Sequence, residues 1–392
     1  MLWSKKTSDK QIKTALVLSG GGARAAYQVG VLKALADILP KETSNPFAII
    51  SGTSAGAINA TALAIYAGQF REAVWRLVHV WRNFRVHHVF RSDMLGLTSS
   101  SVHWVSTLAL GGLGKYNPVS LLDRSPLVKL LNHYLPFERI QQSIDSGILT
   151  ALCINASNYK TGNTVAFFQA TEDIMPWKRA RLAGVRSKIG INHLMASSAI
   201  PFLFAAEKLD GEYYGDGSMR QTAPTNPALH LGADRLFVIG VKHEGSKTDH
   251  EDDRTEYPSL GQVTGHVLDS IFLDNLDLDL ERLQRINKIF SQIPDKHLPG
   301  DSKTIRKVDV LAISPSRDLD AIAAKYTHLM PISMRFFLRG LGVSKRRGSN
   351  LISYLLFEKA YCRELISLGY ADTIERRQEI LEFLDMLPDK EK

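Results

Sequence analysis

The sequence predicts a three-layer α/β/α fold with a mostly parallel central sheet, because strand–turn–helix units repeat along it. In the first unit, the apolar run at residues 14–18 leads through a glycine turn into residues 23–38, which carry apolar side chains at helical spacing. In the second unit, residues 47–51 lead through a turn at Ser54 into a helix over residues 55–67. Consecutive units of this kind place their strands side by side and parallel, with helices covering the sheet.

The same alternation continues through most of the chain. Further strands are predicted at residues 149–155, 164–169, 235–241 and 308–313, and further helices at residues 72–84, 267–290, 351–368 and 373–384. Gly369 directly follows the third of these helices and is expected to stop it. We expect one domain over residues 13–315 and additional C-terminal helices over residues 316–392 that pack on the same domain.

Composition indicates a folded protein of the reducing cytosol. The chain has 392 residues, of which 44% are hydrophobic and 22% charged, and these values exclude a disordered chain. Its two cysteines, Cys153 and Cys362, cannot form a disulfide framework and lack the spacing of a zinc site. Cys153 lies in an apolar run and is expected in the core. No metal or cofactor is predicted.

Charge and hydropathy bear on where the protein acts. Residues 1–10 are too polar for a signal peptide, and no later stretch approaches the ~18–20 apolar residues of a membrane span, so we expect a cytoplasmic protein. The net charge of +8 favours peripheral contact with an anionic membrane surface. No nucleic-acid-binding motif accompanies this charge, so a nucleic-acid partner is not expected. The sequence does not predict the oligomeric state.

Three segments outside the predicted strands and helices invite separate interpretations. Residues 94–114 mix leucines and a tryptophan with serines and glycines, which suits either a lid near the site or a buried connection. Residues 334–347 combine aromatic and basic side chains, as a membrane contact or the flank of a core helix would. Residues 244–257 form a polar insertion, which we interpret as a solvated loop and not as a metal site.

The turn between the second strand and its helix carries a G-x-S-x-G pattern. Gly52 and Gly56 flank Ser54, and small neighbours allow a strained turn that projects the serine hydroxyl. The pattern indicates a nucleophile elbow. On its own it is weak evidence, because five residues with three fixed positions arise often by chance.

A glycine run can supply the anion site that an attacking serine needs. Gly20, Gly21 and Gly22 stand at the beginning of a helix, where free N–H groups and the helix dipole favour negative charge. With the amide of Ala55, Gly21 and Gly22 would form an oxyanion hole. A dinucleotide-binding turn is the alternative, but Ala25 fills its last glycine position.

The serine also needs a base, for which Asp216 is the candidate. Gly215 and Gly217 flank this aspartate, and partial burial would raise its pKa toward a useful range. A Ser-His-Asp triad that uses His243 is the alternative, since the order of Ser54, Asp216 and His243 also suits an α/β-hydrolase. His193 is a further candidate, although capping the start of a helix suits it better.

Four sequence blocks together resemble the patatin-like phospholipase family. The blocks are Gly20-Gly21-Gly22-Ala23-Arg24 with Gly30-Val31-Leu32, Gly52-Thr53-Ser54-Ala55-Gly56-Ala57, Ala196-Ser197-Ser198-Ala199-Ile200-Pro201-Phe202, and Asp216-Gly217. The resemblance is closest over residues 13–241. It implies a patatin-like α/β fold in which a Ser-Asp dyad cleaves lipid esters without a catalytic histidine.

The resemblance also implies roles for individual residues. Ser54 would be the nucleophile and Asp216 the base, and Arg24 would belong to the oxyanion loop with the glycines. Ala25 and Ser218 depart from the family's usual residues, which affects packing more than chemistry. The expected activity is that of a serine lipid acyl hydrolase of phospholipase A or lysophospholipase type, with a lipid substrate. A non-catalytic lipid-binding protein of the same fold is the alternative from a different functional class.

Overall fold

The structure is a computed structural model that describes residues 12–91, 122–201, 203–243, 275–293, 307–340 and 349–387, together with positions 263, 266, 267 and 270. Within these residues a ten-stranded sheet has the order β10-β9-β1-β2-β3-β4-β6-β5, with β8 beside β3 and β7 beside β8. The strands are β1 (Thr14–Leu18), β2 (Ile49–Thr53), β3 (Ala151–Asn158), β4 (Thr164–Ala170), β5 (Trp177–Lys178), β6 (Leu182–Arg186), β7 (Glu207–Leu209), β8 (Glu212–Asp216), β9 (Arg235–Ile239) and β10 (Asp309–Ile313).

The predicted parallel sheet is confirmed in its centre. Five neighbouring strands, β10, β9, β1, β2 and β3, run parallel, with Leu16 of β1 aligned between Ile50 of β2 and Phe237 of β9. On the far side of β3 the sheet is mixed, because β4 and β8 both pair antiparallel with β3. The β8 pairing brings Asp216 opposite Ala156 and so carries the end of β8 to the middle of the sheet.

Helices cover both faces of the sheet. The described helices are α1 (Ala26–Ile38), α2 (Ala55–Ile65), α3 (Phe70–Arg82), α4 (Val86–Val89), α5 (Ser125–Tyr134), α6 (Glu138–Asp145), α7 (Ile191–Ser197), α8 (Asn226–His230), α9 (Asn275–Phe290), α10 (Leu319–Tyr326), α11 (Ile332–Gly340), α12 (Ser349–Leu355), α13 (Lys359–Glu375) and α14 (Arg377–Phe383).

Alternate side chains of β1 face two different hydrophobic cores. Leu16 and Leu18 join the larger core with α1, α2, α3 and the C-terminal helices, whereas Ala15 and Val17 face a smaller core that contains residues of α8 and α9. Successive side chains of a strand point to opposite faces, so one strand contributes to both cores. This arrangement gives the three layers that the sequence predicts.

The expectation that Gly369 ends a helix is wrong. α13 runs from Lys359 to Glu375, and Gly369 lies inside it. A Cβ at Gly369 would lie 2.3 Å from the carbonyl oxygen of Tyr27 on α1, and a Cβ at Gly30 would lie 2.2 Å from that of Ile366. The two glycines therefore allow α1 and α13 to cross in backbone contact. The single helix predicted at residues 351–368 is interrupted at residues 356–358, between α12 and α13.

Both cysteines are buried, and burial raises the pKa of each thiol to about 12, as expected for core cysteines.

None of the helices in the described part of the chain combines the length and apolarity needed to cross a membrane. Residues 94–114, 244–257 and 341–347 lie outside the described residues, so the interpretations of these segments stay predictions. The division of the chain at residue 315 also stays a prediction.

Candidate active site

Ser54 occupies a tight turn between β2 and α2. Its backbone has φ 54° and ψ −126°, a conformation that costs a residue with a side chain ~1–3 kcal/mol. A Cβ at Gly52 would lie 2.5 Å from the carbonyl oxygen of Gly56, and one at Gly56 would lie 2.5 Å from that of Leu18. The strand-to-helix turn predicted from these glycines is therefore present, and neither position has room for a side chain.

A hydrogen-bond chain holds this turn from behind. The backbone N–H of Ser54 donates to Ser197 Oγ at 2.9 Å, and the Ser197 hydroxyl donates to the carbonyl oxygen of Asn155 at 2.6 Å. The Asn155 side chain donates in turn to the carbonyl oxygen of Gly52 at 3.2 Å. Ser197, from the third sequence block, thus supports the turn at Ser54.

Asp216 ends β8 and is fully buried. Its Oδ1 accepts a hydrogen bond from the N–H of Ser218 at 2.9 Å, whereas Oδ2 is a buried oxygen without a hydrogen-bond partner in the described part of the chain. Burial raises the pKa of Asp216 to about 6, and the nearby Ser54 hydroxyl is the largest influence that lowers it. Ser54 and Asp216 are therefore neighbours, although the hydroxyl does not form a regular hydrogen bond with Oδ2.

Gly217 lets the end of β8 approach the turn. A Cβ at this position would lie 2.2 Å from the carbonyl oxygen of Asn155 and 2.8 Å from Cγ2 of Thr53. Any larger residue would push β8 away from β2 and β3. The Asp216-Gly217 pair thus has a steric reason in addition to the carboxylate.

The glycine run lies beside the same turn. Gly20, Gly21 and Gly22 are buried between β1 and α1, and Gly22 lines one cleft together with Ser54 and Ala55. Gly22 has φ 56°, and a Cβ there would lie 2.3 Å from the carbonyl oxygen of Tyr354. The backbone of this run can therefore reach the space in front of Ser54, while an oxyanion hole there stays a prediction.

Arg24 reaches from the glycine run to the C-terminal helices. Its Nε donates to Ser353 Oγ at 2.8 Å, and its guanidinium pairs with Asp320 Oδ1 at 2.7 Å. The guanidinium also lies 4.2 Å from the ring centre of Tyr354. These contacts fasten α10 and α12 to the glycine run. The side chain of Arg24 is used in these contacts, and the place of Arg24 in an oxyanion loop stays a prediction.

An apolar cleft extends away from Ser54. It holds about 980 Å³ of empty space, a volume that includes space open to solvent. Helices α2, α3 and α5 and the end of α12 line it, almost entirely with aliphatic and aromatic side chains. The combination of a serine hydroxyl, a buried carboxylate and an apolar cleft suits an ester with a hydrocarbon chain.

Comparison with known proteins assigns the family. The patatin-like phospholipase family model matches residues 16–229, more than half of the chain. The chain belongs to the patatin-like phospholipase family. The four blocks noted in the sequence fall within the matched region, and membership supports a lipid hydrolase activity.

The individual relatives of the chain are distant. A cGAMP-activated phospholipase of Pseudomonas aeruginosa is 24% identical over 317 residues, covering 78% of this chain and 84% of the relative. VipD from Legionella pneumophila has a TM-score of 0.34 at 13% identity, with 94% of this chain and 67% of VipD covered. Human GIVD cytosolic phospholipase A2 bound to methyl gamma-linolenyl fluorophosphonate has a TM-score of 0.43 at 10% identity. There the match covers 95% of this chain and 59% of the human protein.

The two candidate histidines have other contacts. The Nδ1 atom of His243 lies 2.9 Å from the carbonyl oxygen of Pro315, the one hydrogen bond recorded for that ring among the described residues. His193 Nδ1 accepts a hydrogen bond from the N–H of Gly190 at the start of α7. The capping role expected for His193 is therefore confirmed.

Arg124 is the site residue that the sequence does not reveal. It is buried at the start of α5, where its guanidinium donates to the carbonyl oxygen of Ala205 at 2.8 Å and pairs with Glu207 at 3.2 Å. Its charge lowers the pKa of Asp216, while burial lowers its own pKa to about 10. No motif surrounds Arg124 in the sequence, so only the fold brings it to the aspartate.

Proposed function

We propose that the chain is a serine lipid acyl hydrolase that cleaves fatty-acyl esters of phospholipids or lysophospholipids. The observation that supports this most strongly is that Ser54 lines an apolar cleft and neighbours the buried carboxyl group of Asp216, whose Oδ2 has no hydrogen-bond partner among the residues that the structure describes. A carboxylate whose pKa lies near 6 is ionised at neutral pH and is a stronger base than an ordinary aspartate.

The proposed reaction has two steps. Ser54 Oγ attacks the ester carbonyl carbon while Asp216 accepts the hydroxyl proton, and collapse of the tetrahedral intermediate transfers that proton to the departing alcohol. The acyl-enzyme is then attacked by water, whose proton Asp216 takes before returning it to Ser54 as the fatty acid leaves. Backbone N–H groups of Gly21, Gly22 and Ala55 would stabilise the oxyanion in both steps.

Strain and burial both serve such a mechanism. The Ser54 backbone is held in an unfavourable conformation by surrounding contacts, which keeps the hydroxyl oriented before the substrate arrives. The apolar lining removes water from the acyl chain and lowers the local dielectric, so the fixed N–H dipoles act more strongly on the oxyanion.

A lipid panel tests the proposal. The purified protein is incubated with defined phospholipids, lysophospholipids and neutral lipids, and the products are identified by mass spectrometry. We expect fatty-acid release by the wild type and its loss in Ser54→Ala and Asp216→Asn, with Ser367→Ala, an exposed helix position, as a control. Labelling by a fluorophosphonate probe that Ser54→Ala abolishes would support the acyl-enzyme. Absence of both labelling and release would favour a lipid-binding protein instead.

The Pseudomonas relative determines one assay condition. Its name says that it is activated by cGAMP. We propose the same dependence for this chain as a condition to be tested, and the lipid panel therefore includes parallel reactions with cGAMP. Release that appears only with the nucleotide would support an activated enzyme, and equal release with and without it would contradict the dependence.

His243→Ala separates the dyad from a triad. The ring of His243 is hydrogen-bonded to the carbonyl oxygen of Pro315 and not to Asp216 or Ser54 among the described residues. We therefore expect the variant to retain activity close to that of the wild type. A loss of turnover by several orders of magnitude with normal folding would overturn the Ser-Asp dyad in favour of a Ser-His-Asp esterase.

A further inference from the structure

One face of α2 lines the apolar cleft over the whole length of the helix. Ser54, Ile58, Ala62 and Tyr66 follow one another at intervals of four residues, and all four line the same cleft. Residues four apart lie above one another on a helix, so this set forms a single stripe. With ~1.5 Å of rise per residue, Ser54 and Tyr66 are separated by about 18 Å along the helix axis.

The two ends of the stripe differ in chemistry. At the Ser54 end the lining contains the serine hydroxyl and the glycine turn. At the other end the ring of Tyr66 lies between two guanidinium groups, those of Arg76 at 4.8 Å and Arg139 at 4.6 Å. Arg76 also pairs with Glu72 at 2.7 Å. An uncharged methyl end has no favourable partner beyond this aromatic and charged wall.

The middle of the stripe carries a small side chain. Ile58 and Ala62 separate the two ends, and Ala62 contributes only a methyl group. Across the cleft, Leu77, Val80 and Leu131 supply further apolar walls. A hydrocarbon chain that lies along α2 therefore passes Ala62 at a point where a larger side chain would occupy its path.

We propose that the α2 stripe measures the acyl chain of the substrate, with Ala62 setting how much chain can lie between Ser54 and Tyr66. The inference rests on the proposed function, because it places the ester carbonyl at Ser54. The length agrees with membrane lipids, since one leaflet of acyl chains spans about half of the ~30 Å hydrocarbon core. The enzyme would thus prefer long-chain acyl esters over short ones.

The test compares two ester substrates in the wild type and in Ala62→Phe. With p-nitrophenyl butyrate and p-nitrophenyl palmitate, the wild type should show the higher kcat/KM for palmitate. Ala62→Phe should lower the palmitate-to-butyrate ratio of kcat/KM by about 10- to 100-fold, because several methylene groups lose their burial. Ala371→Phe makes the same change on an exposed face of α13 and should leave the ratio unchanged.

A second variant acts in the opposite direction. Tyr66→Ala removes the aromatic ring at the far end of the α2 stripe and should raise kcat/KM for a 22-carbon ester relative to palmitate. This variant also decides the matter if thermal melting shows that Ala62→Phe does not fold.

The outcomes separate the inference from the proposed function. Hydrolysis of neither ester by a wild type that also fails to label with a fluorophosphonate would contradict the proposed function. If the wild type is active, two results would overturn only the inference about chain length: the same palmitate-to-butyrate ratio of kcat/KM in folded Ala62→Phe, or an unchanged chain-length preference in Tyr66→Ala.

Discussion

The backbone N–H of Ser54 donates a hydrogen bond of 2.9 Å to the side-chain oxygen of Ser197. Ser197 is the last residue of α7, more than one hundred residues away in sequence, and it in turn donates to Asn155 on β3. The positive φ of Ser54 is thus stabilised by a partner outside its own turn. A residue of the third sequence block, Ser197, therefore stabilises the turn in the second block.

Ser197→Ala removes this partner and leaves the Ser54 amide without its acceptor. We expect unfolding free energy to fall by ~1–3 kcal/mol and turnover to fall as the turn relaxes. Chemical denaturation and ester hydrolysis measure the two effects. The control is Ser367→Ala, whose exposed hydroxyl donates to the carbonyl oxygen of Arg363 in the preceding helical turn. Equal behaviour of the two variants would contradict a role for Ser197 at the site.

The raised pKa of Asp216 predicts an acid limit on activity. The base must be ionised to accept the Ser54 proton, and burial raises its pKa to about 6. We expect kcat/KM to be level above pH 7 and to fall about tenfold per pH unit well below pH 6. A pH–rate profile with a soluble ester measures this. Activity that stays level down to pH 4 would show that Asp216 is not the base.

The same burial predicts a stability effect. In the folded protein Asp216 binds its proton more tightly than in the unfolded chain, whose value is near 3.8. The cost of ionising it is therefore absent below about pH 4 and fully present above about pH 6, where it reaches about 3 kcal/mol. Asp216→Asn should become more stable than the wild type as pH rises through this range. Denaturation at pH 4 and pH 7.5 tests it, and a constant difference would contradict it.

The sequence was informative where geometry is local. The turn glycines, the apolar runs and the order of the blocks predicted the parallel sheet, the turn at Ser54 and the approach of Asp216. The sheet and the turn depend on steric or periodic rules that act within a few residues, whereas the pairing of Asp216 with Ser54 came from the resemblance to the family. Helix ends were less well predicted, because the choice between continuing and stopping depends on what packs against the helix.

Gly369 illustrates the second case. By sequence it resembles a helix stop, since glycine is common after the last helical residue. In the structure it faces Tyr27 on a neighbouring helix, a contact between residues far apart in the chain. Arg124 escaped prediction for the same reason, because its partners Ala205 and Glu207 are about eighty residues away.

Gly369→Ala tests the crossing of α1 and α13. Alanine favours a helix interior by ~1 kcal/mol over glycine, so a surface position would gain stability. Here the new Cβ would lie 2.3 Å from the Tyr27 carbonyl oxygen, and we expect a net loss of ~1–3 kcal/mol instead. Thermal unfolding measures the sign. Gly68→Ala, whose Cβ would meet only the end of the Ile148 side chain at 3.4 Å, is the control.

Arg124 tests whether a charge outside the dyad sets the working pH of the base. Its guanidinium favours the ionised form of Asp216, so Arg124→Met should raise the pKa of Asp216 and move the acid limit of kcat/KM above pH 6. Stability should also fall by ~1–3 kcal/mol, because the carbonyl oxygen of Ala205 loses its donor. A purely structural role would lower activity equally at every pH. Arg124→Lys retains the charge and should keep the limit near its original position, whereas an unchanged profile in Arg124→Met would show that Arg124 only supports the fold.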